Sequence, residues 1–225
     1  ISYNTLYGNL YHINSLDLVL QFMDQKKLIK IIKTNLHHEI TLYDRYSQEI
    51  FIANYLTKQN SLEKYDIKIE HPVDKNLQDD QIKFLDEFNN NNVIILIGKP
   101  GTGKSFITGQ AIDNMNSSSL VVLGPTGMAV KNIKKKIEKK IDCYTIHKFM
   151  YLNSDLMKVG ENCEILLDDI EVLLIDEFGM VSTKLLYKLL KFVSKELPKL
   201  KKIVFIGDSN QLEPIGYGSP LKYLV

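Results

Sequence analysis

The second part of the chain alternates between short apolar runs and stretches with helical spacing. Four runs are continuously apolar: Val93–Ile97, Leu120–Leu123, Val172–Ile175 and Ile203–Ile206. Continuous apolar character is expected of strands that are buried on both faces of a parallel sheet. The helical stretches between them are Lys104–Met115, Met128–Lys140 and Thr183–Glu196. This alternation predicts an α/β fold, a parallel sheet with helices on both faces, with its site at the carboxyl ends of the strands.

The first part of the chain has a different pattern. Apolar residues share one helical face from Ser15 to Met23, and a second helical spacing runs from Tyr43 to Leu56. Between these stretches lie two short segments with strand character, Leu28–Ile32 and Ile40–Tyr43, which are joined by a polar turn at residues 34–38. A helix, two strands and a second helix predict a small helical, winged-helix-like domain at the N-terminus.

A polar connection separates these two parts of the chain. Residues Asn60–Asn76 show no sustained period and contain His71 and Pro72, which is typical of a linker. Beyond it, Leu77–Phe88 carries its apolar residues on one helical face, and the asparagines at 89–92 end that helix. We therefore expect a small domain over residues 1–70 and the sheet-forming domain over residues 71–225.

Composition narrows the class of protein. The 225 residues are 44% hydrophobic, which is enough to bury a sizeable core. They include no apolar run of roughly 18 residues and no leader pattern, so we expect a soluble, intracellular (cytoplasmic) protein without membrane contact. Cys143 and Cys163 lack metal-ligand spacing and are interpreted as packing or surface residues. The chain begins with Ile1 rather than Met, so we expect a fragment, a processed product or the ordered part of something longer.

The turn after the first apolar run carries a phosphate-binding motif. It reads GKPGTGKS from Gly98 to Ser105, which fits the phosphate-loop pattern at every fixed position. Glycines let the backbone N–H groups point at phosphate oxygens, and the following helix adds its positive end. Lys104 is placed to reach the β- and γ-phosphates, and the Ser105 hydroxyl to bind Mg²⁺. ATP and Mg²⁺ are therefore the expected cofactors, and the predicted contacts are Gly98, Pro100, Gly101, Thr102, Gly103, Lys104 and Ser105.

Polar side chains with hydrolytic chemistry follow two later strands. The run Val172–Ile175 ends in Asp176 and Glu177, which are suited to hold Mg²⁺ and to accept a proton from the attacking water, respectively. Gln211 follows the last run, and its neutral amide can hydrogen-bond a γ-phosphate or a water. Capping of the next helix or of a loop is the alternative role for such residues. With Lys104, these three residues form the predicted catalytic set.

Five segments occur in a recognisable order and spacing: GKPGTGKS (98–105), GPTGMAVKNI (124–133), TIHKFM (145–150), LLIDEFGMVS (173–182) and IGDSNQLEPIGYG (206–218). Together they resemble the first motifs of RecD-like superfamily 1 DNA helicases, and the related Pif-type helicases share most of them. The resemblance runs from about residue 77 to the end of the chain. Residues 40–56 are also similar to the region before the motor in RecD-like proteins. The resemblance implies that residues 71–225 form a P-loop NTPase domain of the RecA-like type.

The resemblance also implies a function and further contacts. It implies an ATP-dependent DNA helicase motor that couples ATP hydrolysis to translocation on single-stranded DNA. Gln81 matches an adenine-contacting glutamine, and the residues matched to a single-stranded DNA groove are Pro125, Thr126, Thr145 and His147. A capped helix with a packed histidine is the alternative interpretation of Thr145 and His147. The family also uses a second RecA-like domain that supplies an arginine, and we expect that domain in the complete protein rather than in this chain.

Several features depart from the family pattern or remain open. Gly179 stands where the family usually has a small hydroxyl residue, and Glu213 stands where proline is usual. The only arginine is Arg45, which precedes the motor. The lysines of residues 128–140 are either a DNA backbone track or a solvated face. Those at 199, 201 and 202 are interpreted as solubilising.

Two functions of other classes remain open at this stage. One is an unrelated P-loop ATPase or kinase, although a kinase would need an arginine-rich lid that this chain does not offer. The other is a binding module whose nucleotide has a structural role. DNA-stimulated ATP hydrolysis distinguishes the helicase from both.

Overall fold

The computed structural model describes residues 13–33, 38–63, 67–69, 77–116, 119–151, 167–208 and 210–224. The chain divides into two compact units, Ile1–Ala53 and Asn54–Val225. Most of the polar turn predicted before the second strand lies outside the described residues, as does Cys163.

The division between the units falls earlier in the chain than the boundary expected near residue 70. Residues 54–63 belong with the second unit because their side chains hydrogen-bond into it. The Gln59 amide donates to the carbonyl oxygens of Leu200 and Lys201, at 3.2 and 3.0 Å. Asn60 Oδ1 accepts from the backbone N–H groups of Asn92 and Val93. The winged-helix-like identity of residues 1–70 stays a prediction.

The first unit contains the element order predicted from the sequence. Helix α1 spans Ile13–Gln25, strand β1 Ile29–Lys33, strand β2 His38–Leu42, and helix α2 Tyr43–Asn60, which continues into the second unit. The two strands pair antiparallel, with Ile31 opposite Ile40. The prediction of helix, two strands and helix is confirmed.

The second unit alternates helices and strands. Its elements are α3 (Asp79–Asn90), β3 (Val93–Ile97), α4 (Lys104–Asp113), β4 (Leu120–Gly124), α5 (Gly127–Lys134), β5 (Asp142–Thr145), α6 (Ile146–Met150), β6 (Val172–Ile175), α7 (Thr183–Glu196), β7 (Lys202–Gly207) and α8 (Pro220–Tyr223). Short 3₁₀ turns occur at Leu167–Asp169 and Phe178–Met180.

The strands of this unit form a five-stranded sheet in the order β3-β7-β6-β4-β5, and every neighbouring pair is parallel. The four predicted apolar strands are confirmed. The fifth strand, β5, was missed because its sequence, DCYT, has no apolar run. It pairs with β4 at the edge of the sheet, with Gly124 opposite Thr145.

Helices cover both faces of this sheet, as predicted. Alternate strand residues such as Val122, Leu174 and Val204 pack in one core with apolar residues of α3, α4 and α5. In β4, β6 and β7 the intervening residues, which point to the opposite face, are also buried. On that side the ring of Phe178 packs against that of Phe205 in β7, tilted by 40° with ring centroids 4.4 Å apart. Burial on both faces explains why the runs of these three strands are apolar throughout.

Two interpretations of lysine-rich segments are wrong in part. Helix α5 ends at Lys134 rather than Lys140, because the following backbone turns back onto α4: Asp113 Oδ1 accepts from the N–H groups of Glu138 and Lys139, at 3.2 and 2.9 Å. Lys202 is not solubilising, since its side chain is buried and donates to the carbonyl oxygens of Phe88 and Asn91 at 2.7 Å each.

Candidate functional site

A cavity of about 400 Å³ opens at the carboxyl ends of β3, β7 and β6, the three adjacent strands on one side of the sheet. That volume falls within the usual range of small-molecule sites, about 300–1,000 Å³. The residues that line it are Pro100, Gly101, Gly103, Lys104, Ser105, Lys136, Asp176, Glu177, Ile206, Gly207, Asp208 and Gln211. The four predicted catalytic residues therefore line one cavity.

The loop between β3 and α4 has the backbone conformation that its glycines allow. Gly101 and Gly103 both have a φ of +79°, in the left-handed region that other residues avoid. Gly98 serves close approach instead, because a β-carbon there would lie 2.6 Å from Thr102 Oγ1. That hydroxyl donates to the carbonyl oxygen of Lys99 at 2.9 Å. Gly98 and Thr102 thus shape the loop from outside the cavity lining.

Lys104 is the first residue of α4, and its ammonium lies over the loop. Nζ donates to the carbonyl oxygen of Lys99 at 2.8 Å and also to that of Gly98. The loop thus holds a cation at the N-terminus of α4, where the helix backbone favours anions. An incoming phosphate would compete with these carbonyl oxygens for the ammonium.

Gln81, predicted to contact adenine, lies beside the loop but outside the cavity lining. Its Oε1 accepts from the backbone N–H of Gln78 at 3.0 Å, which closes a capping box at the start of α3. Its Nε2 would be 2.8 Å from a β-carbon on Gly103. The structure therefore places Gln81 against the phosphate loop, and its adenine contact stays a prediction.

Asp176 and Glu177 lie at the end of β6 with distinct geometries. The N–H of Asp176 donates to the carbonyl oxygen of Leu123, which extends the pairing with β4, and Asp176 Oδ1 accepts from the N–H of Glu177 at 2.9 Å. Glu177 has a φ of +55°, in the left-handed region, where a non-glycine residue is uncommon. Strained backbone of this kind occurs at functional sites more often than elsewhere.

The carboxyl group of Asp176 is difficult to ionise. Burial raises the pKa of Asp176 to about 6, and the neighbouring Glu177 charge acts in the same direction. The N–H of Glu177 and the positive charges of Lys136 and Lys104 lower this pKa in part. A cation placed at the carboxylate would favour its ionised form.

The end of β7 contributes two residues, of which the sequence reasoning found only one. Gln211 was predicted, and its Oε1 is buried without a hydrogen-bond partner among the described residues. Asp208, in the same motif, was missed. Its side chain is 3% exposed; Oδ1 accepts from the N–H of Asn210 at 2.8 Å, whereas Oδ2 has no partner in the described part of the chain. The signal for Asp208 was its position directly after a buried strand.

The oxygen donors of this cavity suit Mg²⁺. Magnesium prefers hard oxygen ligands and is usually held by one or two carboxylates together with waters and substrate phosphates. Ser105 and Asp176 offer a hydroxyl and a carboxylate, and Asp208 adds a buried carboxylate oxygen that lacks a partner among the described residues. No group of three or more His, Cys, Asp or Glu side chains in the described ranges is arranged to hold a metal alone. Magnesium bound here would need phosphate oxygens to complete its ligand set.

The predicted DNA contacts lie together, apart from the cavity. Pro125 and Thr126 follow β4, and Thr145 and His147 follow the neighbouring strand β5. Both threonines cap helices: Thr126 Oγ1 accepts from Ala129 N–H and Thr145 Oγ1 from Lys148 N–H, at 3.2 Å each. His147 is exposed, so the alternative of a packed histidine is wrong. The DNA roles of these residues stay predictions.

The two residues that depart from the motif pattern have contacts of their own. A β-carbon on Gly179 would lie 2.9 Å from the carbonyl oxygen of Asp208 and 3.7 Å from Gln211 Oε1, so a side chain there would press on the loop that carries the site. Glu213 forms an ion pair with Lys222, which belongs to α8. Both residues therefore shape the segment after β7.

A family model and several known proteins are similar to this chain. The family model described as AAA domain matches residues 81–217. The RecBCD enzyme subunit RecD of Buchnera aphidicola subsp. Acyrthosiphon pisum is 30% identical over 209 residues, which cover 82% of this chain and 34% of that protein. The ATP-dependent RecD2 DNA helicase of Deinococcus radiodurans is 28% identical over 149 residues, covering 65% of this chain and 20% of that protein.

A solved structure of Pif1 from Bacteroides sp in complex with ADP-AlF4 is 24% identical, covers 64% of this chain and 34% of that chain, and superposes with a TM-score of 0.45. The chain spans about a third or less of the length of the curated relatives described above.

No helix among the described residues has both the length and the apolar character needed to cross a bilayer.

Proposed function

This chain belongs to the AAA domain family and contains a RecD-like superfamily 1 motor region, and from that premise we propose that it is the ATP-binding part of a DNA helicase. It binds ATP with Mg²⁺, hydrolyses the γ-phosphate and uses that cycle to move along single-stranded DNA. One observation carries the proposal: the phosphate loop, the Asp176–Glu177 pair and Gln211 follow three adjacent parallel strands and line one cavity.

In the proposed site, the phosphate loop binds the nucleotide through its backbone N–H groups and Lys104. Ser105 and Asp176 would hold Mg²⁺, which supplies positive charge to the phosphates when it is bound. Glu177 accepts the proton of the attacking water, because it lines the cavity next to Asp176 and carries a carboxylate. The Gln211 amide orients that water or the γ-phosphate. Its buried Oε1, which has no partner among the described residues, is available to accept a hydrogen bond.

We place single-stranded DNA at the surface formed by Pro125, Thr126, Thr145 and His147. These residues follow β4 and β5, while the nucleotide residues follow β3, β7 and β6. Strands β4 and β6 are adjacent, so Asp176 at the end of β6 lies next to the end of β4, where the DNA surface begins. The N–H of Asp176 also donates directly to the carbonyl oxygen of Leu123 in β4. A rigid connection of this kind is suited to link nucleotide state with DNA contact.

We propose that a second RecA-like domain completes the site in the working protein. Transfer of the γ-phosphoryl group is accelerated about 10³–10⁵-fold by an arginine that neutralises the developing charge. The cavity lining among the described residues includes lysines but no arginine, and Arg45 is the only arginine of the chain. An arginine from another domain would supply this charge.

Nucleotide binding and hydrolysis by two variants test the proposal. Lys104→Ala removes the cation from the phosphates and leaves the loop glycines in place, so binding of MgATP should be lost while the fold is kept. Glu177→Gln should retain MgATP but stop hydrolysis in the complete protein. Equal nucleotide affinity in Lys104→Ala and the parent, at matched thermal stability, would refute the assignment.

DNA dependence separates the helicase from the other functions considered. A helicase motor should hydrolyse ATP faster when single-stranded DNA is added to the complete protein, and Glu177→Gln should abolish the stimulated rate. A kinase or a structural nucleotide site predicts no change with DNA. Absence of stimulation, together with intact MgATP binding, would leave one of the other functions considered: an unrelated ATPase, a kinase or a structural nucleotide site.

A further inference from the structure

Lys136 lines the cavity although no motif of the sequence includes it. It stood inside a predicted helix that ran to Lys140, but α5 ends at Lys134, and its backbone N–H then closes a turn onto the carbonyl oxygen of Ile133 at 2.9 Å. The side chain is exposed. Within the described part of the chain, no hydrogen bond or salt bridge engages its ammonium group, which leaves that group available to a ligand.

The backbone around Lys136 is held against α4, the helix that follows the phosphate loop. Its carbonyl oxygen lies 2.6 Å from the position of a β-carbon on Gly109, an approach that only glycine permits. On the other side of Lys136, the Asp113 carboxylate accepts from the N–H of Lys139, and Lys139 Nζ donates to the carbonyl oxygen of Met115 at 2.8 Å. The position of Lys136 is therefore fixed relative to the phosphate loop.

The cavity needs more positive charge than Lys104 supplies. Among the described residues, its lining includes three carboxyl side chains, those of Asp176, Glu177 and Asp208, and two basic side chains, those of Lys104 and Lys136. The turn with Lys136 follows β4 and α5, and β4 is the neighbour of β6, whose end carries Asp176. Lys136 therefore reaches the cavity from the Asp176 side, where the terminal phosphate and its magnesium would be held.

We propose that Lys136 is a second phosphate-binding cation, whose ammonium contacts the terminal phosphate of a bound nucleoside triphosphate. The inference rests on the proposed nucleotide site and adds a residue to it. A nucleoside diphosphate lacks the group that Lys136 would contact. Lys136 therefore favours the triphosphate over the diphosphate and supplies, from this chain itself, part of the positive charge that the site needs.

The test compares Lys136→Gln with the parent for binding of a non-hydrolysable MgATP analogue and of MgADP, measured by titration calorimetry on the full chain. A lost charge-assisted hydrogen bond should weaken the triphosphate analogue about tenfold or more. The effect on MgADP should be clearly smaller. Lys136→Arg, which keeps the charge, should restore much of the affinity for the triphosphate analogue.

Lys135→Gln is the matched control, because it removes one charge from the neighbouring exposed residue, which does not line the cavity. Its affinities should equal those of the parent. Equal triphosphate affinity in Lys136→Gln and the parent would overturn the inference while leaving the nucleotide site intact. The inference would also be overturned if both glutamine variants lost the same affinity, or if Lys136→Gln lost the same affinity for both nucleotides. Either result would mean that the overall positive charge, and not a contact with the terminal phosphate, causes the effect. A parent that binds neither nucleotide would refute the proposed function itself and, with it, this inference.

Discussion

The carbonyl oxygen of Lys136 lies 2.6 Å from the position that a β-carbon on Gly109 would occupy. Gly109 is a buried residue inside α4, where glycine costs about 1 kcal/mol relative to alanine. The close approach compensates for that cost, because it lets the segment after α5 rest on the helix that begins at the phosphate loop. A residue without a side chain thereby positions a side chain of the cavity.

Gly109→Ala should destabilise the chain despite the better helix propensity of alanine. The added methyl group would press on a backbone oxygen, and overpacking of this kind costs about 1–3 kcal/mol, against a propensity gain of about 1 kcal/mol. We expect the free energy of unfolding, measured in urea, to fall by about 1 kcal/mol, and the MgATP analogue to bind more weakly. Gly127→Ala is the control, since a β-carbon on Gly127 in α5 has no neighbour within 4 Å. Equal stability of both variants and the parent would contradict the steric role of Gly109.

Gly179→Ala and Gly179→Ser should differ in stability. A β-carbon there lies 2.9 Å from the Asp208 carbonyl oxygen, so Gly179→Ala should destabilise the chain by about 1–2 kcal/mol. Gly179→Ser meets the same contact, but its hydroxyl can donate to the nearby Gln211 Oε1, a buried acceptor with no partner among the described residues. Part of the loss should therefore be recovered in the serine variant. Urea unfolding of the two variants checks this order, and a serine variant less stable than the alanine variant would contradict it.

The fold was predictable where burial leaves a clear pattern. Strands β4, β6 and β7 are buried on both faces, so their predicted runs are apolar throughout and their positions were found. The edge strand β3 is only partly buried, but it is also continuously apolar and was found by the same pattern. Strand β5, at the opposite edge, has the sequence DCYT, which gives no such signal. The end of α5 was missed for a related reason: the lysines and isoleucines after Lys134 suit a helix, and the tertiary hydrogen bonds of Asp113 end it.

The site was predictable where local motifs determine it. The phosphate loop, Asp176–Glu177 and Gln211 each follow a buried strand, and parallel strands bring their carboxyl ends to one edge of the sheet. Lys136 could not be found in this way, because its place in the cavity depends on the contact between Gly109 of α4 and the turn after α5. Long-range packing of that kind has no signature in a local stretch of sequence.

Asp176 should make the stability of the chain depend on pH. Its pKa is raised from 3.8 to about 6, so the folded chain binds its proton more tightly than the unfolded chain does. The stabilisation by this proton is present below pH 4 and is lost as pH rises from about 4 to 6, which amounts to at most about 3 kcal/mol. Urea unfolding in EDTA across this range should therefore show Asp176→Asn gaining stability relative to the parent as pH increases. A constant difference between the two proteins would show that Asp176 is not responsible.

The two capping threonines complicate any test of the DNA surface. Thr126 and Thr145 each accept a hydrogen bond from a backbone N–H at a helix start, and loss of such a cap costs about 0.5–2 kcal/mol. Alanine at either position would change stability and DNA contact together. Serine keeps the capping hydroxyl, so the free energies of unfolding of Thr126→Ser and Thr145→Ser should lie within about 1 kcal/mol of that of the parent. Large destabilisation of either serine variant would contradict the capping role.

His147 offers the cleaner test, because it is exposed on α6 and its side chain caps nothing in the described part of the chain. If its ring packs against a base of single-stranded DNA, His147→Ala should weaken DNA binding about fivefold or more, since aromatic stacking contributes about 1–3 kcal/mol per base. Fluorescence anisotropy with a labelled oligonucleotide measures the affinity, and thermal unfolding confirms that the fold is kept.

Lys83→Ala, an exposed change on α3 that should leave DNA affinity unaltered, is the control. Nucleotide affinity should stay at the parental value, because His147 does not line the cavity. Unchanged DNA affinity in His147→Ala would exclude His147 as a base contact. A loss of nucleotide affinity instead would show that α6 supports the nucleotide site.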